Sequence, residues 1–297
     1  MSQIFDALHQ SQESGNGSRK FSTAKDLLQA VEQQVERHVG GEEQAGQLVC
    51  RELLQQFPAA QPALPVHSKL VCFSHTDSLA AEKFRFLATR LRHVQQKRSF
   101  KRIVITSSVP SEGKTMVAAN LACALAAGKQ NVLLVEGDLR RPSLAKQLGL
   151  GEIAGLSQLL QDKADKFNNI RRLETEDFCV LSAGNVQTSP MEFMEPGRLA
   201  VCLDSVSAGF DWVIIDSPPM LPLADTTIWM RLADAVMLVT RPGVTTKHQL
   251  QRALEAVEQS KLLGAVLNAS TEATAGKYYY HYAGKSPAVP IESFVAK

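Results

Sequence analysis

The chain has 297 residues, 44% of them hydrophobic and 21% charged, with a formal net charge of +2. That is enough apolar material for one large core or two ordinary ones, and it excludes a wholly disordered chain, a collagen and a small disulfide scaffold. The balance lacks the basic excess of a nucleic-acid-binding domain, so no nucleic-acid partner is expected.

No apolar run reaches the roughly 18 residues that span a bilayer. The start, Met1 to Asp6, lacks the basic-then-apolar layout of a secretory leader. Cys50, Cys72, Cys123, Cys179 and Cys202 are scattered and odd in number, which reads as reduced thiols in a cytosolic protein. The histidines have no HExxH or CxxH spacing, so no zinc site is expected.

The first 66 residues are Gln- and Glu-rich and broken by Glu13–Ser18 and Gly40-Gly41. Apolar residues at helical spacing predict helices over 24–38 (Leu27, Leu28, Val31, Val35) and 44–57 (Leu48, Val49, Leu53, Leu54, Phe57). Pro58–Pro65 reads as a stiff linker. The segment is therefore a mostly helical or partly disordered extension over 1–66. It is either a tail without a specific task or a docking or oligomerisation arm, since each helix has an apolar face with nothing local to cover it.

From about residue 68 the pattern becomes regular. A helix is expected over 78–95. Short, continuous apolar runs follow at 103–106, 132–135, 179–182, 212–215, 235–239 and 264–267. They are β-branched and do not alternate, which suits strands buried on both faces of a parallel sheet. Helices expected over 115–127 and 247–262 separate several of them. The fold class is α/β, a predominantly parallel sheet flanked by helices, with ligands bound beyond the carboxyl ends of the strands.

Just beyond the first of these strands, Ser108-Val109-Pro110-Ser111-Glu112-Gly113-Lys114-Thr115 opens a helix. This is a phosphate-binding loop with Ser108 in place of the usual first glycine. Backbone N–H groups and a helix N-terminus favour anions. Ser111, Glu112, Gly113, Lys114, Thr115 and Met116 are the expected nucleotide contacts, with Lys114 on the β/γ-phosphates and the Thr115 hydroxyl on Mg²⁺.

Two further strand ends carry acid. Glu136 and Asp138 in Val135–Pro142 stand two positions apart and point the same way from an extended segment. Beside a triphosphate they are Mg²⁺ ligands or a base toward a hydroxyl; alone, they would be a solvated turn or a helix cap. Asp216 ends the apolar run Trp212–Ile215 as a Walker B carboxylate does, binding Mg²⁺ directly or through water. Finally, all four tyrosines of the chain, Tyr278, Tyr279, Tyr280 and Tyr282, fall within five residues near the C-terminus. They read as an aromatic anchor or as a string of acceptor hydroxyls on a flexible tail, each phosphorylation adding about −1.5 to −2 charge.

Taken together, Ser107–Thr115, Glu136–Pro142, Asp216–Pro219 and the tyrosine tail resemble the bacterial tyrosine kinases of capsule and exopolysaccharide synthesis. The resemblance covers about residues 75–285. It implies a ParA/MinD-like P-loop NTPase fold, with a kinase domain over 67–270 and a phosphoacceptor tail over 271–297. It also implies ATP and Mg²⁺ as cofactors, Lys114 as the phosphate contact, and Thr115, Glu136, Asp138 and Asp216 as metal residues. Asp138 becomes the first candidate for activating a tyrosine hydroxyl, with Asp216 able to share that task. Asn268, ending Val266-Leu267-Asn268, matches a position that contacts adenine in this superfamily. Arg241 lies near the same edge and is given no role.

The resemblance implies partners too: a second copy of the chain for trans-autophosphorylation, a transmembrane adaptor or polysaccharide co-polymerase, and a resetting tyrosine phosphatase. The chain would be cytoplasmic and recruited to the inner face of the plasma membrane. Two departures stand out. The second acidic motif begins with Glu136 rather than Asp. Of the family's E-x-x-R-x-x-R oligomerisation helix, Glu82 and Arg85 match but the third position is Ala88, with Arg90 two residues on. Two rivals share the fold: a ParA/MinD-type ATPase switch, which usually has an early loop lysine where this chain has Ser107-Ser108-Val109, and a weakly active nucleotide-binding regulator of polysaccharide assembly.

Overall fold

A computed structural model describes residues 54–55, 57–161, 166–175, 177–186, 194–221 and 225–270. The helix expected over 24–38, all but the end of that over 44–57, and the tyrosine tail lie outside the described residues. Among the described residues, eight strands build one sheet: β1 (Ala59–Ala60), β2 (Arg102–Ser107), β3 (Val132–Glu136), β4 (Ile170–Leu173), β5 (Phe178–Leu181), β6 (Trp212–Asp216), β7 (Ala235–Thr240) and β8 (Leu262–Leu267). Their spatial order is β1-β4-β5-β3-β6-β2-β7-β8. From β5 to β8 all pairs are parallel, β4 is antiparallel to β5, and β1 runs parallel to β4.

All six continuous apolar runs form strands, and five of them are buried on both faces. The expectation of full burial fails at 264–267, which lies in the edge strand β8, where Leu267 is 56% exposed. Alternate residues point to opposite sides. In β6, Val213 and Ile215 enter one core while Trp212 and Ile214 enter the other. Helices Leu79–Lys97 and Lys114–Ala127 cover the second face through Ala88, Leu91, Val117, Leu121 and Leu125. Helices Pro196–Ser207, Asp225–Leu232 and Lys247–Ala256 cover the first through Leu203, Trp229 and Ala253. Fully burying a leucine such as Leu121 contributes about 1.5–3 kcal/mol. Among the described residues no helix is long and apolar enough to cross a membrane.

Three elements differ from the sequence expectation. The helix expected over 247–262 ends at Ala256, because Val257 turns extended (φ −91°, ψ 132°) and the chain must enter β8. Its start is fixed by a Thr246–Gln249 capping box. Part of the supposed linker at Pro58–Pro65 is a sheet edge: Ala59 and Ala60 pair with Arg172 and Leu173, and Arg172 N donates to Pro58 O. A proline, which lacks a donor, suits such an edge. The short strand β4 had no expectation at all.

Candidate active site

The order β3-β6-β2 brings three strand ends side by side. Register then does the rest: Glu136 stands opposite Asp216, and Asp216 opposite Ile105. The phosphate-binding loop leaves β2 and enters helix Lys114–Ala127 through Gly113, whose φ is +90°. Conformation calls for glycine there, and a Cβ would also meet Asn268 Nδ2 at 2.2 Å and push that side chain aside. Ser111 is also left-handed, at φ 68°.

The loop is tied to the β7–β8 edge. Glu112 is buried; its carboxylate accepts from Val109 N at 2.8 Å and from the Thr245 hydroxyl. Burial raises its pKa, while backbone donors at Val109, Ser108 and Arg241 pull it back. Its side chain is thus spent on the loop's own backbone and on Thr245. Asn268 Nδ2 donates to Glu112 O at 2.8 Å, and Arg241 Nη1 donates to Ser111 O at 3.3 Å. Asn268, expected at an adenine, here braces the loop; Arg241, given no role, does the same. Met116 is half-buried against the core one turn into the helix.

Lys114 reaches across to Asp138, Nζ to Oδ2 at 3.1 Å. The other Asp138 oxygen accepts from Arg141 N at 3.1 Å. Asp216 differs: both oxygens are buried without a hydrogen-bond partner. Burial raises its pKa to about 7; Lys114 and the nearby Thr115 hydroxyl pull it down, and Glu136 and Asp138 push it up. A buried, unpartnered carboxylate beside a hydroxyl suits a divalent cation. Among the described residues no group of three or more His, Cys, Asp or Glu forms a metal cage.

Glu136 is committed elsewhere. Oε1 accepts from Ser143 N at 2.5 Å and Leu144 N at 2.6 Å, and Oε2 from Ala183 N at 2.9 Å. Burial raises its pKa despite these three donors, and Asp138 adds to the rise. Its expected place among the metal residues therefore meets a carboxylate already holding three amides. Its extra methylene lets it reach the start of helix Leu144–Leu148 and the end of β5 at once. Ser143 brings its hydroxyl to 3.5 Å from that of Thr115. Beside these groups opens a cleft of about 1130 Å³, lined by Glu136, Arg140, Ser143, Lys146 and Asn185 among others.

Other residues were not foreseen as functional. Asp225 takes Arg140 in a two-pronged ion pair, and Trp229 Nε1 donates to Gly137 O at 3.0 Å. The only sequence signal was an Asp opening a helix that carries one of two tryptophans. Glu82 and Arg85 pair with each other at 2.5 Å on helix Leu79–Lys97, and Arg85 Nη1 also donates to Thr76 O. Ala88, the motif's third position, is buried in the chain's own core. Tyr278, Tyr279, Tyr280 and Tyr282 lie outside the described residues.

A family model described as an AAA domain matches residues 100–265. The tyrosine-protein kinase YwqD of Bacillus subtilis is 32% identical over 214 residues, covering 71% of this chain and 90% of that protein. Two solved structures share the fold. One is the kinase domain of the Escherichia coli tyrosine kinase ETK, with TM-score 0.64, 28% identity, and 69% of this chain and 82% of that chain covered. The other is the chimerical protein CapA2B2, with TM-score 0.65, 29% identity, and 75% and 99% covered.

Proposed function

The chain belongs to the bacterial tyrosine-protein kinases, and from that membership we propose that it is an ATP- and Mg²⁺-dependent autokinase whose acceptors are Tyr278, Tyr279, Tyr280 and Tyr282. The observation that carries the reading is the cluster of Lys114, Thr115, Asp138 and the orphaned Asp216 at adjoining strand ends. The amides of Ser111–Met116 and the Lys114 ammonium bind the phosphates. Thr115 and Asp216 hold Mg²⁺, which when bound neutralises charge on the β- and γ-phosphates.

On this reading Asp138 accepts the phenolic proton. The tyrosine oxygen then forms its bond to the γ-phosphorus as the bond to the β,γ-bridging oxygen breaks and ADP leaves. Lys114 must first leave Asp138 for the phosphates, which frees the base only when nucleotide is present. The acceptor tail comes from a second copy of the chain, with Glu82 and Arg85 in the contact between copies. A transmembrane adaptor or polysaccharide co-polymerase recruits the chain to the inner face of the plasma membrane. A tyrosine phosphatase resets the tail, and the cycle regulates exopolysaccharide or capsule polymerisation and export. Accumulated tail charge loosens the assembly. A weakly active regulator is the second reading, favoured by the commitment of Glu136 to backbone amides.

The test is tryptic mass spectrometry after incubation with ATP and Mg²⁺, beside Lys114→Met. Phosphate on the four tyrosines, absent from the variant, is expected. ATP turnover without phosphotyrosine would favour the ATPase switch. Neither, even with a cytoplasmic adaptor segment added, would favour the regulator.

A further inference from the structure

The loop that carries Asp138 is held from one side by a single helix. Asp225 and Trp229 lie four positions apart on helix Asp225–Leu232, hence on one face. Asp225 is buried, and both its oxygens engage Arg140: Nε to Oδ2 at 2.5 Å and Nη2 to Oδ1 at 3.1 Å. A two-pronged pair of this kind fixes orientation as well as distance. Trp229, fully buried, donates its indole N–H to Gly137 O at 3.0 Å. The ring lies so close that a Cβ on Gly137 would stand 2.8 Å from Cε2. Gly137 N donates in turn to Asp216 O at 2.8 Å.

Asp138 is therefore bracketed. Gly137 before it is pinned by Trp229 and the Asp216 backbone, and Arg140 after it by Asp225. The helix is itself tied to the segment that follows β6, since the Thr226 hydroxyl donates to Pro218 O at 2.9 Å. Neither Asp225 nor Trp229 makes contact with Lys114, Thr115 or the Asp138 side chain among the hydrogen bonds and ion pairs of the described residues. A buried carboxylate and a buried indole are spent on the backbone and flank of one acidic loop.

We propose that Asp225 and Trp229 are positioning residues for the phosphotransfer step: they set Asp138 against the Lys114 ammonium and the acceptor hydroxyl through Arg140 and Gly137. This rests on the reading of Asp138 as the base. Removing one anchor leaves the loop in place on average but widens its motion, and misplacement of about an ångström costs up to about a hundredfold in rate. The phosphate-binding loop, held instead by Thr245 and Asn268, is untouched.

The experiment takes the full chain with Asp225→Asn, Trp229→Phe, Asp138→Asn and the double Asp225→Asn/Asp138→Asn. Trp229→Phe keeps the ring and loses only the N–H, so it reports even where Asp225→Asn folds poorly. Two readouts are taken: single-turnover tail phosphorylation at saturating ATP, and hydrogen exchange of the nucleotide-free protein. Each single anchor variant is expected to slow phosphorylation by about 30-fold, with affinity for a fluorescent ADP analogue within about threefold of wild type. The double variant is expected to be no slower than Asp138→Asn alone. Exchange is expected to rise at residues 137–143 and stay unchanged at 108–116.

Anchor variants that phosphorylate at the wild-type rate while Asp138→Asn is slow would overturn the positioning role alone. Asp138→Asn at the wild-type rate would overturn the base assignment beneath it. A double variant slower by the full product of the two factors would place Asp225 in some other task and overturn the proposal. The exchange arm needs no activity: unchanged protection at 137–143 in both anchor variants overturns it as well.

Discussion

The Lys114 ammonium lies 3.1 Å from Asp138 Oδ2, both side chains largely buried, so the proposed phosphate contact and the proposed base are paired with each other in the nucleotide-free chain. Nucleotide must compete with that pair for Lys114. Asp138→Asn removes the competitor. It is expected to tighten ADP binding by about three- to tenfold, worth on the order of 1 kcal/mol, while tail phosphorylation falls about a hundredfold or more. Lys114→Met is expected to lose both. Fluorescent-nucleotide titration beside a phosphotyrosine assay separates the two. Weaker ADP binding in Asp138→Asn would contradict the competition.

Asp216 makes both stability and metal binding depend on pH. Its folded pKa is raised to about 7, chiefly by burial. Between the ordinary carboxylate range and about pH 7 the folded chain keeps a proton that the unfolded chain has lost, so stability falls as pH rises through that window. Asp216→Asn escapes this. Its stability advantage over wild type is expected to be larger at about pH 8 than at about pH 5, by on the order of 2 kcal/mol, in urea titrations. Mg²⁺ must displace the same proton, so Mg·ADP should bind wild type more tightly as pH rises to about 8. A flat pH profile for Mg·ADP would count against Asp216 as the metal residue.

Glu136 is expected to act as a clasp. Without it, the amides of Ser143, Leu144 and Ala183 lose their acceptor. Glu136→Ala should cost about 3 kcal/mol, since each buried unsatisfied amide costs about 1–3 kcal/mol and water reaches the half-buried Ser143. Glu136→Gln keeps the Oε1 contacts but turns an amide donor toward Ala183 N, so an intermediate loss is expected. The Mg²⁺ dependence of Glu136→Gln should move by less than about threefold. A direct ligand would move it about tenfold or more.

The sheet interior was legible because burial on both faces leaves a plain mark, an unbroken β-branched run. Trp212–Asp216 is of that kind. Strand β4 carries Arg171 and Arg172 between its buried ends, and β1 is two alanines among prolines; each is too short or too polar to leave that mark. The edge strand β8, by contrast, kept an apolar run and was legible although Leu267 is exposed. The site divides likewise. Lys114, Thr115, Asp138 and Asp216 stood out because their chemistry follows strand ends. The bracing of the acidic loop did not, since Trp229 and Gly137 meet across 92 residues and no local pattern pairs them. Asn268 and Glu136 were expected in the site from position alone, while their hydrogen bonds to backbone, which only packing reveals, tie them to neighbouring segments.

The oligomerisation helix yields the last prediction. In the family pattern the third position would be Arg, but here Ala88 is 4% exposed and packs into the core beneath helix Lys114–Ala127. Ala88→Arg would restore the pattern on paper while forcing a charge into that core. It is expected to destabilise the chain by about 3 kcal/mol or more and to give no larger assembly. The outward stripe of the same helix is Glu82, Phe86 and Arg90, four positions apart, with Phe86 59% exposed and the Arg90 guanidinium 5.8 Å from its ring. If copies meet along this helix, that stripe rather than position 88 carries the contact. Phe86→Asp, at an exposed position, should leave stability within about 0.5 kcal/mol of wild type and shift sedimentation toward the monomer. An unchanged sedimentation profile for Phe86→Asp and Arg85→Ala together would remove this helix from the assembly.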